Sequence, residues 1–495
     1  MLRQIDISTT KTRSSARRPL TVDDVNIGSA ADRRFLLMST SLLIDRVFRF
    51  TQLTEKLSEH GRIAIWSTSA DEETAKDADS AAKWRSFPVV KPFREFPYNL
   101  ARRLNEFVWD YRYRLPSRLS MTRHRRNREH PFLIRALKLP AWFLALVRSE
   151  RFVERSVEKL LLSFPRSDEA DALLADERPD VVISTGPFQF EQPAIFTSAR
   201  KLGIKTLAYI PSWDNISTKN RMVFDYDGYM VWSEKTKEEL HEFYPETRRR
   251  PVYVVGAPQF DIFFQERFYQ TREEFCKKNK LDPRLPIIVY AVGSPNFLAE
   301  HHGAVYLADV IAKGEIGDAQ LLVRPHPIHD NAEMRALFQS FGPKVRLQVT
   351  PNAGRALAKR LQDESQIIDW VNTFRHADVV INLSSTVAID AAIFDTPVVN
   401  LDFDPQPGQA DNELIKEINH KWPHFKPIAE SGGVFLVNNF DELLVAVKSY
   451  LRDPSLHKTQ RKWMAEYVCG WLDGRSAERM ADAIADFTQA RNRED

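Results

Sequence analysis

From residue 33 onward, short apolar runs alternate with amphipathic stretches, and this alternation limits the fold more than any other feature of the chain. The runs RFLLMS (34–39), RIAIWS (62–67), DVVIST (180–185), KTLAYI (205–210), GYMVWS (228–233) and VYVVG (252–256) are short and largely β-branched or aromatic. Their apolar residues fall at consecutive positions, as in parallel strands covered by helices on both faces. Stretches of helical period, such as 191–203 and 234–244, lie between them. Alternation of this kind predicts a doubly wound α/β domain.

After a charged connection at about 266–285 the pattern begins again. PIIVYAVGS (286–294), AQLLVRPHP (319–327), VRLQVTP (345–351), DVVINLSS (378–385), TPVVNLD (396–402) and GGVFLVN (432–438) follow, and two helical stretches end the chain. Two cores are expected for 495 residues, because single cores stop growing near roughly 250–300 residues. The expected organisation is a first Rossmann-like domain at 31–265, with a basic helical insertion at 99–150, and a second at 280–495 that includes the terminal helices. Residues 1–30 are polar and aperiodic and read as a disordered leader.

Composition removes several classes. A net charge of +3 does not mark a nucleic-acid binder. The two cysteines, Cys276 and Cys469, are too far apart in sequence for a disulfide framework or a metal cluster, which suits a reducing cytosol. The longest apolar run, LPAWFLALV (139–147), is less than half the roughly 20 residues that a membrane span requires. A cytoplasmic protein is expected.

Two turns carry the candidate chemistry. In DVVINLSSTVAIDAAIF, Ser384, Ser385 and Thr386 sit where a buried strand ends and a helix of small residues begins. In parallel sheets ligands bind outside the carboxyl ends of strands, and a helix N-terminus offers free N–H groups to a phosphate. The same residues also suit a plain helix N-cap. Arg324, His326 and Pro327 end another strand of the same sheet, so their polar side chains should face the same edge. Arg and His are natural phosphate partners. Gly293 and Ser294 end the first strand of this half, and Gly permits close backbone approach there.

The pair of motifs RPHP and NLSSTVAIDAAIFDTPVVNLDF, some sixty residues apart, resembles the carboxyl half of GT-B glycosyltransferases. Within that superfamily it is similar to CDP-glycerol glycerophosphotransferases and to CMP-sugar (sialyl and Kdo) transferases. GRSAERMADAI (474–484) resembles the helix that closes many of these chains; the whole match runs over about 285–485. The resemblance implies two Rossmann-like halves facing across a cleft. It implies a donor activated by CMP, CDP or UDP, held by Arg324, His326, Gly293, Ser294 and Ser384–Thr386, with Asp390 facing the nucleotide or its ribose. An Asp one turn into a helix equally suits a solvated or dipole-pairing role.

By the same resemblance the acceptor, a glycan or lipid-linked envelope precursor, lies against the amino half. A carboxylate or His must take its hydroxyl proton. Asp214 in AYIPSWDNISTKN is the leading candidate base and Glu191 in STGPFQFEQP the second, with His326 also a candidate catalytic residue. The alternative for Asp214 is an Asp-Asn turn beside a packed Trp213. Neither a metal nor another cofactor is expected: DYD (225–227) and DFD (402–404) fall at strand borders, and the metal-binding DxD belongs to the other glycosyltransferase fold.

Residues 101–138 contain eleven Lys or Arg against three acids, a local charge of +8 interleaved with Trp109, Tyr111, Tyr113 and Phe132. The segment suits attachment to an anionic membrane surface at the inner face, or a solvated helical insertion. Two other functions remain open. One is a UDP-sugar 2-epimerase on the same scaffold, although the His-Arg-rich signature of those enzymes is replaced here by AVGSPNFLAEHHG. The other is a non-catalytic GT-B scaffold that binds glycans.

Overall fold

The computed structural model describes residues 33–70, 81–91, 93, 95–124, 132–163, 167–293, 301–326, 332–349, 362–408 and 412–489. Seven strands form the first sheet: β1 (Arg34–Ser39), β2 (Arg62–Ser67), β3 (Ala82–Ser86), β4 (Val181–Ser184), β5 (Lys205–Tyr209), β6 (Gly228–Val231) and β7 (Val252–Val254). Their order is β3-β2-β1-β4-β5-β6-β7, and every pair is parallel. Side chains alternate between two buried layers. Phe35, Leu37, Val181 and Ile183 face one, and Leu36, Met38 and Val182 face the other. The sequence pattern passes over β3 because, of AKWRS, only Trp84 is buried at this sheet edge.

A second sheet contains β8 (Ile287–Ala291), β9 (Gln320–Arg324), β10 (Val345–Leu347), β11 (Val379–Asn382), β12 (Val398–Leu401) and β13 (Phe435–Val437). Its order, β10-β9-β8-β11-β12-β13, repeats the winding of the first. Both sheets therefore reverse direction once, between β1 and β4 and between β8 and β11. Each reversal opens a crevice at the carboxyl ends of the strands.

Helices that bear on function are numbered in chain order. In the first half they are α1 (Leu42–Phe50), α2 (Tyr98–Tyr113), α3 (Pro116–His124), α4 (Phe132–Ala136), α5 (Lys138–Leu146), α6 (Glu150–Leu162) and α7 (Gln192–Lys201). In the second half they are α8 (Val387–Ile393), α9 (Glu413–Lys421) and the terminal α10 (Ser476–Gln489). The last helix returns to the first half. The Asp261 carboxylate accepts from the Ser476 and Ala477 N–H groups at 3.1 and 2.6 Å, which caps α10. Gly256 allows this approach: its φ is +89°, and a Cβ there would lie 2.4 Å from Ser476 Oγ. Between the halves, Phe263 packs on Trp370 and Phe394 with ring centroids 4.4 and 4.9 Å apart. Arg46 of α1 stacks 3.7 Å over Trp370.

Among the described residues, five cations of the basic segment pair with acids. Glu106, 1% exposed, accepts from Arg102 at 3.2 Å and Arg103 at 2.8 Å, and from Arg118, which also bonds Asp110 at 3.0 Å. Arg112 pairs with Glu150 at 3.0 Å. Arg123 reaches Glu417 of α9 at 2.7 Å, beside the Ser120 hydroxyl at 2.5 Å, so α3 straps the two halves together. Trp109 is buried and donates to the Phe243 carbonyl at 2.7 Å. The charge count overstated the surface because a buried carboxylate requires partners, and three of the counted arginines are those of Glu106. Arg125, Arg126 and Arg128 lie outside the described residues.

Candidate functional site

Beyond the paired residues Tyr290 and Ile381, β8 and β11 run out at Gly293 and Ser384. This is the crevice of the second sheet. It faces the turn after β5, and together they bound a cavity of 460 Å³. Gly293, Leu383, Ser384, Ser385, Thr386 and His424 line one wall; Trp213, Asp214, Thr218 and Lys219 line the other, with Arg118 at its side.

The wall built by β11 and α8 is strained at one point. Ser384 has φ +42°, in the left-handed region that side chains with a Cβ disfavour. Its hydroxyl donates to Asn419, which in turn donates to Asp402 at 2.9 Å. Asp402 also holds His420 Nε2 at 2.8 Å. The strained turn is thus tied to α9 by a polar relay. Ser385 does what an N-cap does: its hydroxyl accepts from Val387 N–H at 3.3 Å and donates to Asn382 at 3.3 Å. Thr386 makes no side-chain cap bond.

On the facing wall Asp214 is half-buried. Its carboxylate accepts from Ser212 Oγ at 2.5 Å, Thr218 Oγ1 at 3.0 Å and Asn215 Nδ2 at 3.1 Å. Burial pushes this carboxyl up, but His424, Lys219 and the two hydroxyls outweigh that and hold it below the usual range. Trp213 offers no stacking face to a sugar: it is 1% exposed and packs edge-on against His424, with centroids 5.2 Å apart.

His424 is the residue that sequence reasoning missed. Burial drives its imidazole down to about 4, with Asp214 opposing and Lys235 reinforcing the fall. It is therefore neutral at pH 7 and able to accept a proton. Its Nδ1 lies 3.3 Å from Ser217 Oγ. The cluster HKWPHFKP (420–427), with two His and two Pro between helices, was the available signal, but no apolar strand precedes it.

The other expected residues lie elsewhere. Arg324 turns into the protein, donates to Gln348 at 2.8 Å and stacks 5.7 Å from the Phe374 ring. Asp390 is buried; desolvation pushes its carboxyl up to about 7 against Arg46 and Arg324. Neither lines the cavity. The sequence places both at a strand or helix end, but the side chains follow the interior surface shared by β9, α1 and α8. Glu191 bonds the adjacent Phe190 N–H at 3.2 Å, within its own turn. His326 is half-buried outside the cavity lining. Ser294 lies outside the described residues.

No protein-family model matches the chain, and no curated protein does. Solved structures do match. The UDP-GlcNAc 2-epimerase of Neisseria meningitidis, bound to UDP-GlcNAc, aligns over 92% of this chain and 100% of its own, with 10% identity and a TM-score of 0.50. The corresponding enzyme of Methanocaldococcus jannaschii gives 92%, 100%, 13% and 0.50. The wall teichoic acid polymerase TagF aligns over 95% of this chain and 92% of its own, at 10% identity and a TM-score of 0.46. What such identities share is the fold. The protein has the GT-B fold: two parallel-sheet halves that face each other across a cleft.

Proposed function

We propose that the protein is a nucleotide-sugar-dependent enzyme. Its cleft would transfer a sugar or polyol phosphate from a CMP-, CDP- or UDP-activated donor to a cell-envelope polysaccharide or lipid-linked acceptor. The observation that carries this reading is the single cavity lined both by Ser384–Thr386 and Gly293 and by Asp214 and His424. The phosphates would lie against the β11–α8 turn, with Lys219 and Arg118 offsetting their charge. The acceptor hydroxyl would attack the donor carbon or phosphorus as the bond to the leaving nucleotide breaks. Its proton would pass to Asp214 or His424. Among the described residues no helix is long and apolar enough to cross a membrane, so a lipid-linked acceptor would be met at the bilayer surface.

A second reading has its own support: the structures that match at TM-score 0.50 include UDP-GlcNAc 2-epimerases. An epimerase would use the same base to remove and return a sugar proton. Products separate the two. A transferase releases nucleotide only when acceptor is supplied; an epimerase converts the nucleotide sugar without acceptor and without change of mass. If the wild-type protein binds nucleotide but carries out neither reaction, neither reading stands and a binding scaffold remains; if Asp214→Ala and His424→Ala leave a reaction intact, its base lies elsewhere.

A further inference from the structure

The outward face of α5 is the reverse of what water requires. Leu139, Trp142, Phe143, Leu146 and Val147 recur at helical spacing and are 52–75% exposed. Ala141 and Ala145, on the inner face, are buried against α2. Phe152 on the neighbouring α6 is 72% exposed. A surface helix normally presents polar residues outward, and an apolar patch of this extent marks an interaction site.

Charge on the adjoining helices is segregated. The acids of α6 point inward to protein cations: Glu150 to Arg112 at 3.0 Å, Glu154 to Arg221 at 2.6 Å and Glu158 to Arg200 at 3.8 Å. Arg135, Arg148, Arg155 and Lys159 are exposed and make no ion pair among the described residues. Arg155 and Lys159 share the α6 face of Phe152 at helical spacing, and Arg148 lies in the turn just before α6, with φ +53°; Arg155 also borders a small cavity containing Glu154 and Glu158.

We propose that α4–α6 dock on an anionic lipid bilayer, with the apolar side chains of α5 and Phe152 inserted among the headgroups and the unpaired cations on lipid phosphates. Three features favour lipid over protein as the occupant. Among the described residues the apolar side chains project outward from the helix and line none of the three cavities beside Glu154, Asp214 and Gln348, whereas protein hot spots pair with pockets. A Trp lies among them beside cations, the composition of an interfacial helix. Further, α5 has nine residues, too few to span a bilayer and enough to lie in its surface. The surface shares only α4 with the 101–138 segment picked out by composition and otherwise lies beyond it, on α5 and α6; it stands whether or not the transferase reading does.

The test is flotation of the full chain with phosphatidylglycerol-containing vesicles and with pure phosphatidylcholine vesicles. It is run at low salt and at ~1 M salt, where the Debye length is about 3 Å. Analytical ultracentrifugation runs in parallel. We expect flotation with the anionic vesicles alone and at least a tenfold loss in high salt. Trp142→Ser/Phe143→Ser/Leu146→Ser and, separately, Arg148→Gln/Arg155→Gln/Lys159→Gln should each lower anionic binding about tenfold, with melting temperature unchanged. The charge variant decides if the apolar one misfolds. Equal binding to both lipids, no flotation, or binding that survives the charge variant overturns the proposal. So does a dimer that the apolar variant splits while no vesicle binds, since the occupant is then a second copy.

Discussion

Two turns occupy equivalent positions in the two halves, each after the strand where its sheet reverses, and each begins with small hydroxyl residues. After β4 the turn runs Ser184-Thr185-Gly186, and after β11 it runs Ser384-Ser385-Thr386. The first is closed by its own helix. Gln192 Oε1 accepts from Ser184 Oγ at 3.0 Å and from the Thr185 and Gly186 N–H groups at 2.9 Å each. The side chains of Gln189 and Gln192 fill the space beside Gly186, where a Cβ would lie 2.5 Å from Gln189 Oε1. The second turn holds a strained Ser384 and opens onto the interdomain cavity. Strain persists only where surrounding structure imposes it, and it gathers at working sites. Equivalent position in a fold is therefore not equivalent function; what fills the turn decides.

The acids beside the two turns should differ most. Asp214→Ala, facing the open turn, should lower kcat by about 10²–10⁴ while nucleotide affinity stays within about twofold. Glu191→Ala, in the closed turn, should change kcat by less than about threefold. Steady-state kinetics with calorimetric nucleotide binding measures both, and a large loss at Glu191 would break the comparison.

The open side also carries the titrating group. The folded state keeps His424 neutral, with its pKa pushed down to about 4, against ~6.5 in an unfolded chain. As pH falls, the unfolded chain takes up this proton first. The stability in question is complete above pH ~6.5 and is lost progressively toward pH 4, by roughly 3 kcal/mol in all. Urea unfolding across that window should show this slope in the wild type and a shallower one in His424→Gln.

Gln192→Ala would leave two N–H groups and a hydroxyl unsatisfied in the closed turn. We expect a stability loss of about 1–3 kcal/mol with nucleotide affinity unchanged. The smallest stability effect is expected for Ser385→Ala, which removes the Ser385 hydroxyl's bond to Val387 N–H and costs about 1 kcal/mol. Thermal melts of the two variants side by side rank them.

The sequence made the sheets legible because strands buried on both faces leave continuous apolar runs, as in β4, β8 and β11, whose residues are all buried. The edge strand β3 has no such constraint and left no trace. Within the site, Gly293, Ser384–Thr386 and Asp214 were legible because strand ends in parallel sheets share one edge. The direction of a side chain was not. Nothing in RPHP says that Arg324 turns back to Gln348, and nothing in TVAIDAAIF says that Asp390 is buried near Arg46. His424 follows a helix and not a strand, so the rule that found the other residues could not reach it. The ion pairs of Glu106 were hidden for another reason: a charge count sums cations and acids without saying which of them turn inward and pair.

The central claim is that nucleotide binds against the open turn and not the closed one, and amide hydrogen exchange reads both at once. With saturating UDP, CDP or CMP, we expect slowed exchange at 383–387 and 213–219 and unchanged exchange at 184–192. Protection at 184–192, or protection at neither wall with any of the three nucleotides, would contradict the account.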